Sequence, residues 1–336
     1  MHPKHQILLD LLKDQYAAAD PANPAPANPA PETWTQILSE AARHRIAPLL
    51  YAKIKHNRAE SRFPADVLKQ LQKKYLATAY TNTGLFHRLD ELLTRLNNKN
   101  IPVIILKGAH LAEFVYKDIA ARPMSDIDIM VKEEHLHEAV QIAFEAGYRF
   151  FNNKNGSQEK SIENYYYQIL SDAKHFKALI HPETKCLLEI HCYISAIDSP
   201  FQIEVSDLLG RSRANLLNGQ PVYLLSPEDL TLYLCLHAAY DHLFEFGLSM
   251  LYDIAITINH YEQSIDWRKV INRSRKWRAS QCLKLSLYFT KKFFLVNIPD
   301  EVFENFQIDP IANTAEERIF KTNELYRKKL FAQYFC

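Results

Sequence analysis

Ile101-Pro-Val-Ile-Ile-Leu-Lys107-Gly108-Ala-His110-Leu-Ala-Glu-Phe-Val-Tyr116, followed shortly by Arg122-Pro-Met-Ser125-Asp126-Ile-Asp128-Ile-Met-Val131, is the stretch that organises this chain. An apolar, β-branched run ends in Lys-Gly, a helix-compatible segment follows, and a second apolar run carries two aspartates one residue apart. Residues two apart in a strand share a face, so Asp126 and Asp128 project together while Ile127 and Ile129 enter the core. Two parallel carboxylates repel and raise each other's pKa unless a cation lies between them. Hard divalent ions such as Mg²⁺ take carboxylate oxygens and keep positions open for water and phosphate. An Asp-x-Asp pair also fits any half-exposed strand, so its weight comes from its neighbours.

Those neighbours converge. Leu187-Leu188-Glu189-Ile190-His191-Cys192-Tyr193-Ile194 places a carboxylate inside an otherwise apolar strand, which is costly unless a cation faces it. Glu189 is therefore the candidate third metal carboxylate. His191, two residues on, shares its face and is a candidate contact to the metal side, a triphosphate or an acceptor. At Lys107-Gly108 a glycine at a strand end lets the backbone turn tightly and aim N–H groups and a helix start at an anion. Lys107 and Arg122 are candidates to neutralise phosphate oxygens, with Arg122 suited to a bidentate grip. Ser125 offers a hydroxyl beside the acid pair or shapes the strand entry.

Working outward, residues 1–97 read as a helical N-terminal region containing a Pro-rich connector, 21–31. Within it, Ala65 to Leu96 carries apolar residues near a 3.6-residue period, Leu68, Leu71, Tyr75, Leu76, Tyr80, Leu85, Leu89, Leu92, Leu93 and Leu96 among them. Pro48 interrupts the helical pattern before it. Residues 98–225 form the core region. There, Glu133 to Gly147 reads as a helix with a glycine at its C-terminal cap, Phe151 to Glu163 as a polar loop, and Ala173–Ile180 with Lys185–Ile194 as a hairpin turning at His181-Pro-Glu-Thr184. Val222–Leu225 is a last short strand. Ser226-Pro227-Glu228-Asp229 is a helix start, with a capping hydroxyl, proline at the first helical position and acids in the first turn. Residues 226–336 then form a helical C-terminal region: Leu230–Phe246, Leu248–His260, Trp267–Trp277 and Ser280–Phe294.

The 336 residues carry 40 Lys and Arg against 39 Asp and Glu, so no global field favours nucleic acid or an anionic membrane. The five cysteines are odd in number, widely spaced and without a Cys-x-x-Cys pair, which argues against a disulfide framework and a structural zinc site. No apolar run reaches the roughly 18–20 residues of a membrane span, and the N-terminus does not read as a signal peptide. A cytoplasmic protein is expected.

Other polar groups admit two readings each. His237, Asp241 and His242 form either a metal cluster or a helix face lining a cleft. Helical spacing turns His242 away from His237 and favours the cleft. His175 and His181 flank the hairpin as surface histidines. Asp253, inside an apolar helix, either pairs with a basic residue of the core region or is structural. The basic run Arg268-Lys269, Arg273, Arg275-Lys276, Arg278 reads as a solvated helix face before a phosphate-rich acceptor site.

Leu106-Lys107-Gly108, Tyr116, Arg122-Pro123-Met124, Asp126-Ile127-Asp128 and Glu189-Ile190-His191 together resemble the DNA polymerase beta-type nucleotidyltransferase superfamily, and within it the bacterial family of uncharacterised nucleotidyltransferases. The resemblance extends to Ala47-Pro48-Leu49-Leu50 upstream and to Ser226–Asp229, His237, Asp253-Ile-Ala and Asp266-Trp267 downstream. It implies an α+β fold, a small mixed β-sheet flanked by helices, with two Mg²⁺ ions held by Asp126, Asp128 and Glu189. It also implies an NTP substrate, for which Lys107, Gly108, Arg122, Ser125 and His191 are the candidate contacts read above. Many active members have Ser or Gly after the first glycine, whereas this chain has Gly108-Ala109, which leaves the phosphates to backbone N–H groups, Lys107 and Arg122. The resulting expectation is transfer of an NMP group to a hydroxyl or amine acceptor that the sequence does not name. The competing one is a non-catalytic binding or regulatory protein, of toxin-neutralising type, built on the same fold.

Overall fold

Trp34, Ile37 and Ala41 recur on one side of α2 (Pro31–Arg43), and burying that side ties the N-terminal helices to the rest of the chain. The computed structural model describes residues 3–13, 29–151, 178–195, 199–304, 316 and 319–320. The connector up to residue 28, the polar loop beyond Phe151, His175, Cys336 and most of the strand expected from Ala173 lie outside them. Before α2 comes α1 (Pro3–Leu12), and after it α3 (Ala47–His56) and α4 (Ala65–Asn98). Pro31 opens α2 and Pro48 sits in the first turn of α3, where a missing N–H costs nothing. Pro48 thus starts a helix rather than interrupting one. The break is at Arg45, which takes a φ of +56°.

α4 is a single helix of 34 residues. Leu71, Thr78, Asn82, Leu85, Leu89, Leu92 and Leu96 form its buried stripe. Leu76 and Tyr80, expected on that stripe, are 57 % and 85 % exposed, because they fall on the opposite side of the 3.6-residue repeat.

The core of the fold is a sheet of β1 (Ile104–Ile105), β2 (Asp126–Met130), β3 (Arg149–Phe150), β4 (Leu179–Ile180), β5 (Leu187–His191), β6 (Arg213–Leu217) and β7 (Gln220–Leu224). Its order is β3-β4-β5-β2-β1-β7-β6. β2 runs parallel to β5 and β1 parallel to β7, while β1 and β2 are antiparallel, so the sheet is mixed and the fold α+β. Between the strands lie α5 (Lys107–His110) with a π-helical turn at Leu111–Val115, α6 (Glu133–Glu145) and α7 (Val205–Arg211). Gly147, with a φ of +95°, closes α6: its N–H bonds Phe144 O and the next N–H, of Tyr148, reaches back to Ala143 O. The β6–β7 hairpin was not anticipated. Its turn is Asn218-Gly219, with φ of +50° and +86°, and this Asn-Gly pair is the sequence signal for such a turn.

The C-terminal helices are α8 (Pro227–Leu236), α9 (Leu248–His260), α10 (Trp267–Lys276) and α11 (Ser280–Phe293). Ser226 caps α8 by accepting the N–H of Asp229. The helix expected over Leu230–Phe246 stops earlier. After α8 comes a π-helical turn, His237–Asp241, and then positive φ values at Leu243, Phe244 and Gly247 end it. Side chains of α1–α3 share one apolar core with α8–α11, whereas the second half of α4 joins α6 and the sheet in another. The sheet's polar face meets the helices along a cleft of about 390 Å³.

Candidate active site

Parallel pairing of β2 with β5 sets Asp128 directly beside Glu189 and Met130 beside His191. Ile127, Ile129, Leu188 and Ile190 point the other way and are buried in the sheet's core, so the alternation of each strand sends its acids to one face. Asp126, Asp128 and Glu189 all line the cleft.

Asp128 is only 3 % exposed. Its Oδ1 accepts a hydrogen bond from Lys107 Nζ at 2.9 Å and lies 2.8 Å from His191 Nε2. Burial pushes the Asp128 carboxyl up, but Lys107 and His191 outweigh it and hold the group well below the usual carboxylate range. Burial likewise opposes the charge on Lys107, and Asp128 more than restores it. Asp126 stands differently. Burial, and then the charge of Asp128, raise it to about 6, against the pull of Lys107 and a 3.2 Å bond from Ser125 Oγ. Asp128, Glu189 and His191 offer ligand atoms within 4.8 Å of one another, and this is the one such group among the described residues. Asp126, on the same face, lies outside that group.

Lys107 and Gly108 exchange the parts expected of them. Lys107 takes the positive φ, +33°, as α5 begins. Gly108 supplies space: a Cβ there would stand 3.1 Å from Met124 Cγ and 3.3 Å from Arg122 Nη1.

The Arg122 fork grips a carboxylate of the protein. Nε lies 3.0 Å from Asp253 Oδ1 and Nη2 2.9 Å from Asp253 Oδ2, and the Tyr116 hydroxyl donates to Oδ1 at 2.7 Å. Asp253, on α9, therefore pairs with a basic residue of the core region. The expected bidentate hold on phosphate would need this pairing to open, whereas Nη1 has no partner among the described residues. From the other side Asn82, fully buried on α4, donates to the carbonyls of Ile119 and Arg122 and accepts the Met124 N–H. Asn82 was not singled out in the sequence. Its signal was there, as an amide on an apolar helical stripe.

Across the cleft, His237 Nδ1 lies 3.1 Å from Asp241 Oδ2. The rings of His237 and His242 meet edge to face at 4.4 Å. Ideal α-helical spacing would separate them, but in the π turn the His242 N–H bonds His237 O, which brings residues five apart together. These three residues line the cleft and form no metal-holding group among the described residues. Arg45, at the rim, stacks its guanidinium 4.2 Å from the Phe246 ring centre. The basic run on α10 is mostly exposed, except that Arg273 turns inward onto Ser226, Glu228 and Asp229.

The profile of a family described as "Uncharacterised nucleotidyltransferase" matches residues 30–295. No curated protein sequence matches the chain. Similar solved structures include the antibiotic-resistance factor ANT(2'')-Ia in solution, at 15 % identity over 58 % of this chain and 94 % of that one, with a TM-score of 0.39. A crystal structure of ANT(2'')-Ia with adenylyl-2''-tobramycin aligns at 14 % identity over 58 % and 98 %, also at 0.39. An antigenic nucleotidyltransferase-like protein from Paracoccidioides brasiliensis aligns at 16 % identity over 67 % and 97 %, at 0.33. No helix among the described residues is long and apolar enough to cross a membrane.

Proposed function

The chain belongs to the family of uncharacterised nucleotidyltransferases, and from that premise we propose that it is an Mg²⁺-dependent enzyme moving an NMP group from an NTP to a hydroxyl or amine acceptor. One observation carries this reading: Asp126, Asp128 and Glu189 face one cleft from adjacent parallel strands, with Lys107 as the lysine set against them. Burial and repulsion from Asp128 raise Asp126 to about 6, and a divalent cation between the two would relieve that repulsion.

The donors fit magnesium. They are hard carboxylate oxygens on rigid strands, and His191 already orients Asp128 from behind. Asp126, Asp128 and Glu189 would hold two Mg²⁺, whose chemistry is to neutralise phosphate charge and polarise the reacting oxygens. Lys107, the Gly108 backbone and Arg122 Nη1 present positive charge to the triphosphate, and Ser125 adds a hydroxyl at the rim. The acceptor's oxygen or nitrogen gives up its proton to a cleft carboxylate or to water and bonds to the α-phosphorus, the bond from that phosphorus to the bridging oxygen breaks, and pyrophosphate leaves with the electron pair. The acceptor enters along the wall of His237, Asp241 and His242. A cytoplasmic setting suits the NTP substrate and the buried free thiols Cys186, Cys192, Cys235 and Cys282.

The test is incubation of the protein with Mg²⁺ and α-labelled ATP, CTP, GTP or UTP, in the presence of metabolite and protein pools. Label moves to an acceptor with the wild type and not with Asp128→Asn. Absence of transfer from all four, together with absence of Asp128-dependent NTP binding, would sink the reading.

A further inference from the structure

An arginine that spends its fork on the protein itself cannot also grip a ligand with it. Arg122 is in that position: Asp253 takes Nε and Nη2 at 3.0 and 2.9 Å, Tyr116 braces the same carboxylate at 2.7 Å, and Asn82 fixes the Arg122 carbonyl at 2.8 Å. The side chain is 17 % exposed, and it lines the cleft. Nη1 is the donor left over, and it lies over Gly108, at 3.3 Å from where a Cβ would stand. Gly108 follows Lys107 at the start of α5, so the unused donor and the Gly108 backbone occupy one corner of the cleft.

We propose that Asp253, braced by Tyr116, is a positioning residue for nucleotide binding, locking Arg122 so that Nη1 alone is presented beside Gly108 to a triphosphate oxygen. This rests on the nucleotidyltransferase reading given above. It deepens that reading by making the phosphate contact depend on α9, a helix of the C-terminal region that carries none of the metal carboxylates. Fixing a guanidinium at both ends of its fork removes the rotamer freedom that a ligand contact would otherwise have to restrain. Asp253 thereby acts through Arg122 and not on the nucleotide.

The experiment is calorimetric binding of ATP and of inorganic tripolyphosphate, each with Mg²⁺, to the full chain and to Asp253→Asn, Arg122→Lys and the double variant. Loss of one charge-assisted hydrogen bond predicts that Asp253→Asn weakens both ligands by about ten- to a hundredfold. In the Arg122→Lys background the same substitution has little further effect, because both changes remove one interaction. Tyr116→Phe leaves the ion pair in place, so it serves where Asp253→Asn does not fold, and it predicts a smaller weakening of both ligands that also vanishes in the Arg122→Lys background. Unchanged or tighter binding in folded Asp253→Asn or Tyr116→Phe, or full additivity with Arg122→Lys, overturns the proposal. A wild type that binds neither ligand refutes the nucleotidyltransferase reading instead.

Discussion

Two clusters of buried acid in this protein solve the same electrostatic problem to different ends. At the first turn of α8, Glu228 and Asp229 are buried against Arg273, which reaches both, and Arg211, which holds Asp229 Oδ2 at 2.9 Å. Two carboxylates meet two guanidinium groups, the helix N-terminus adds favourable partial charge, and the account closes. On the β2–β5 face, Asp128 meets Lys107 and His191, while Asp126 beside it is raised to about 6 by burial and by the charge of Asp128. Burial alone does not separate the two clusters, since Asp229 is less exposed than Asp128. What separates them is mutual repulsion: Asp229 shares its site with two guanidinium groups, whereas Asp126 and Asp128 stand together on one face and Asp126 is shifted up by burial and by its neighbour's charge, which the proposed Mg²⁺ would offset.

The sharpest way to break this contrast is to remove one acid from each cluster. Asp128→Asn is expected to lower NMP transfer by about a thousandfold or more, as loss of a group acting on developing charge does. Asp229→Asn is expected to leave NTP binding by the folded protein unchanged. It leaves Arg273 with Glu228 and Arg211 with the half-exposed Asp207, and stability to urea falls by about 2–3 kcal/mol. If Asp229→Asn weakened NTP binding without unfolding, the contrast would fail.

Acidity offers a second handle. Asp126 is raised to about 6 in the metal-free protein. A carboxyl raised on folding binds its proton more tightly in the native state, so its stability contribution is present below about pH 4 and is lost as pH rises through 6. Urea denaturation in EDTA should therefore show stability falling between pH 4.5 and 7 relative to Asp126→Asn, by about 1–2 kcal/mol. Asp128 is shifted the other way, and its contribution is lost only in stronger acid, outside that window. Parallel pH profiles for wild type and Asp126→Asn would show that the Asp126–Asp128 pair carries no strain.

The smallest effect is expected at Gly108→Ala. The added methyl meets Met124 Cγ and Arg122 Nη1 at close range, so either side chain must yield. Stability should fall by about 1 kcal/mol and ATP affinity by a few fold, measured by thermal shift and calorimetry. A variant that binds ATP as the wild type does would remove Gly108 from the phosphate corner.

Much of the fold was legible because its signals are local. The alternation in Asp126–Met130 and Leu187–His191, the Ser226-Pro-Glu-Asp229 cap and the Gly147 terminus each follow from a few adjacent residues. The β6–β7 hairpin is legible too, through Asn218-Gly219. What stayed hidden depends on irregular backbone or on distant partners. Nothing in a helical repeat shows that His237–Asp241 winds as a π turn and so stacks His242 on His237. Nor does Arg122 reveal, in sequence, that its fork belongs to Asp253, 131 positions on.

The sequence by itself determined which residues share a face, where helices begin and end, and that acids stand on two apolar strands, because period and capping are properties of neighbouring residues. The tertiary structure decided what those acids meet. Parallel register put Glu189 beside Asp128, the turn at Lys107 aimed an ammonium at Asp128, and α9 brought Asp253 to Arg122. A charge's environment is set by whatever packs within a few ångströms of it, and that is fixed only once distant segments of the chain have come together.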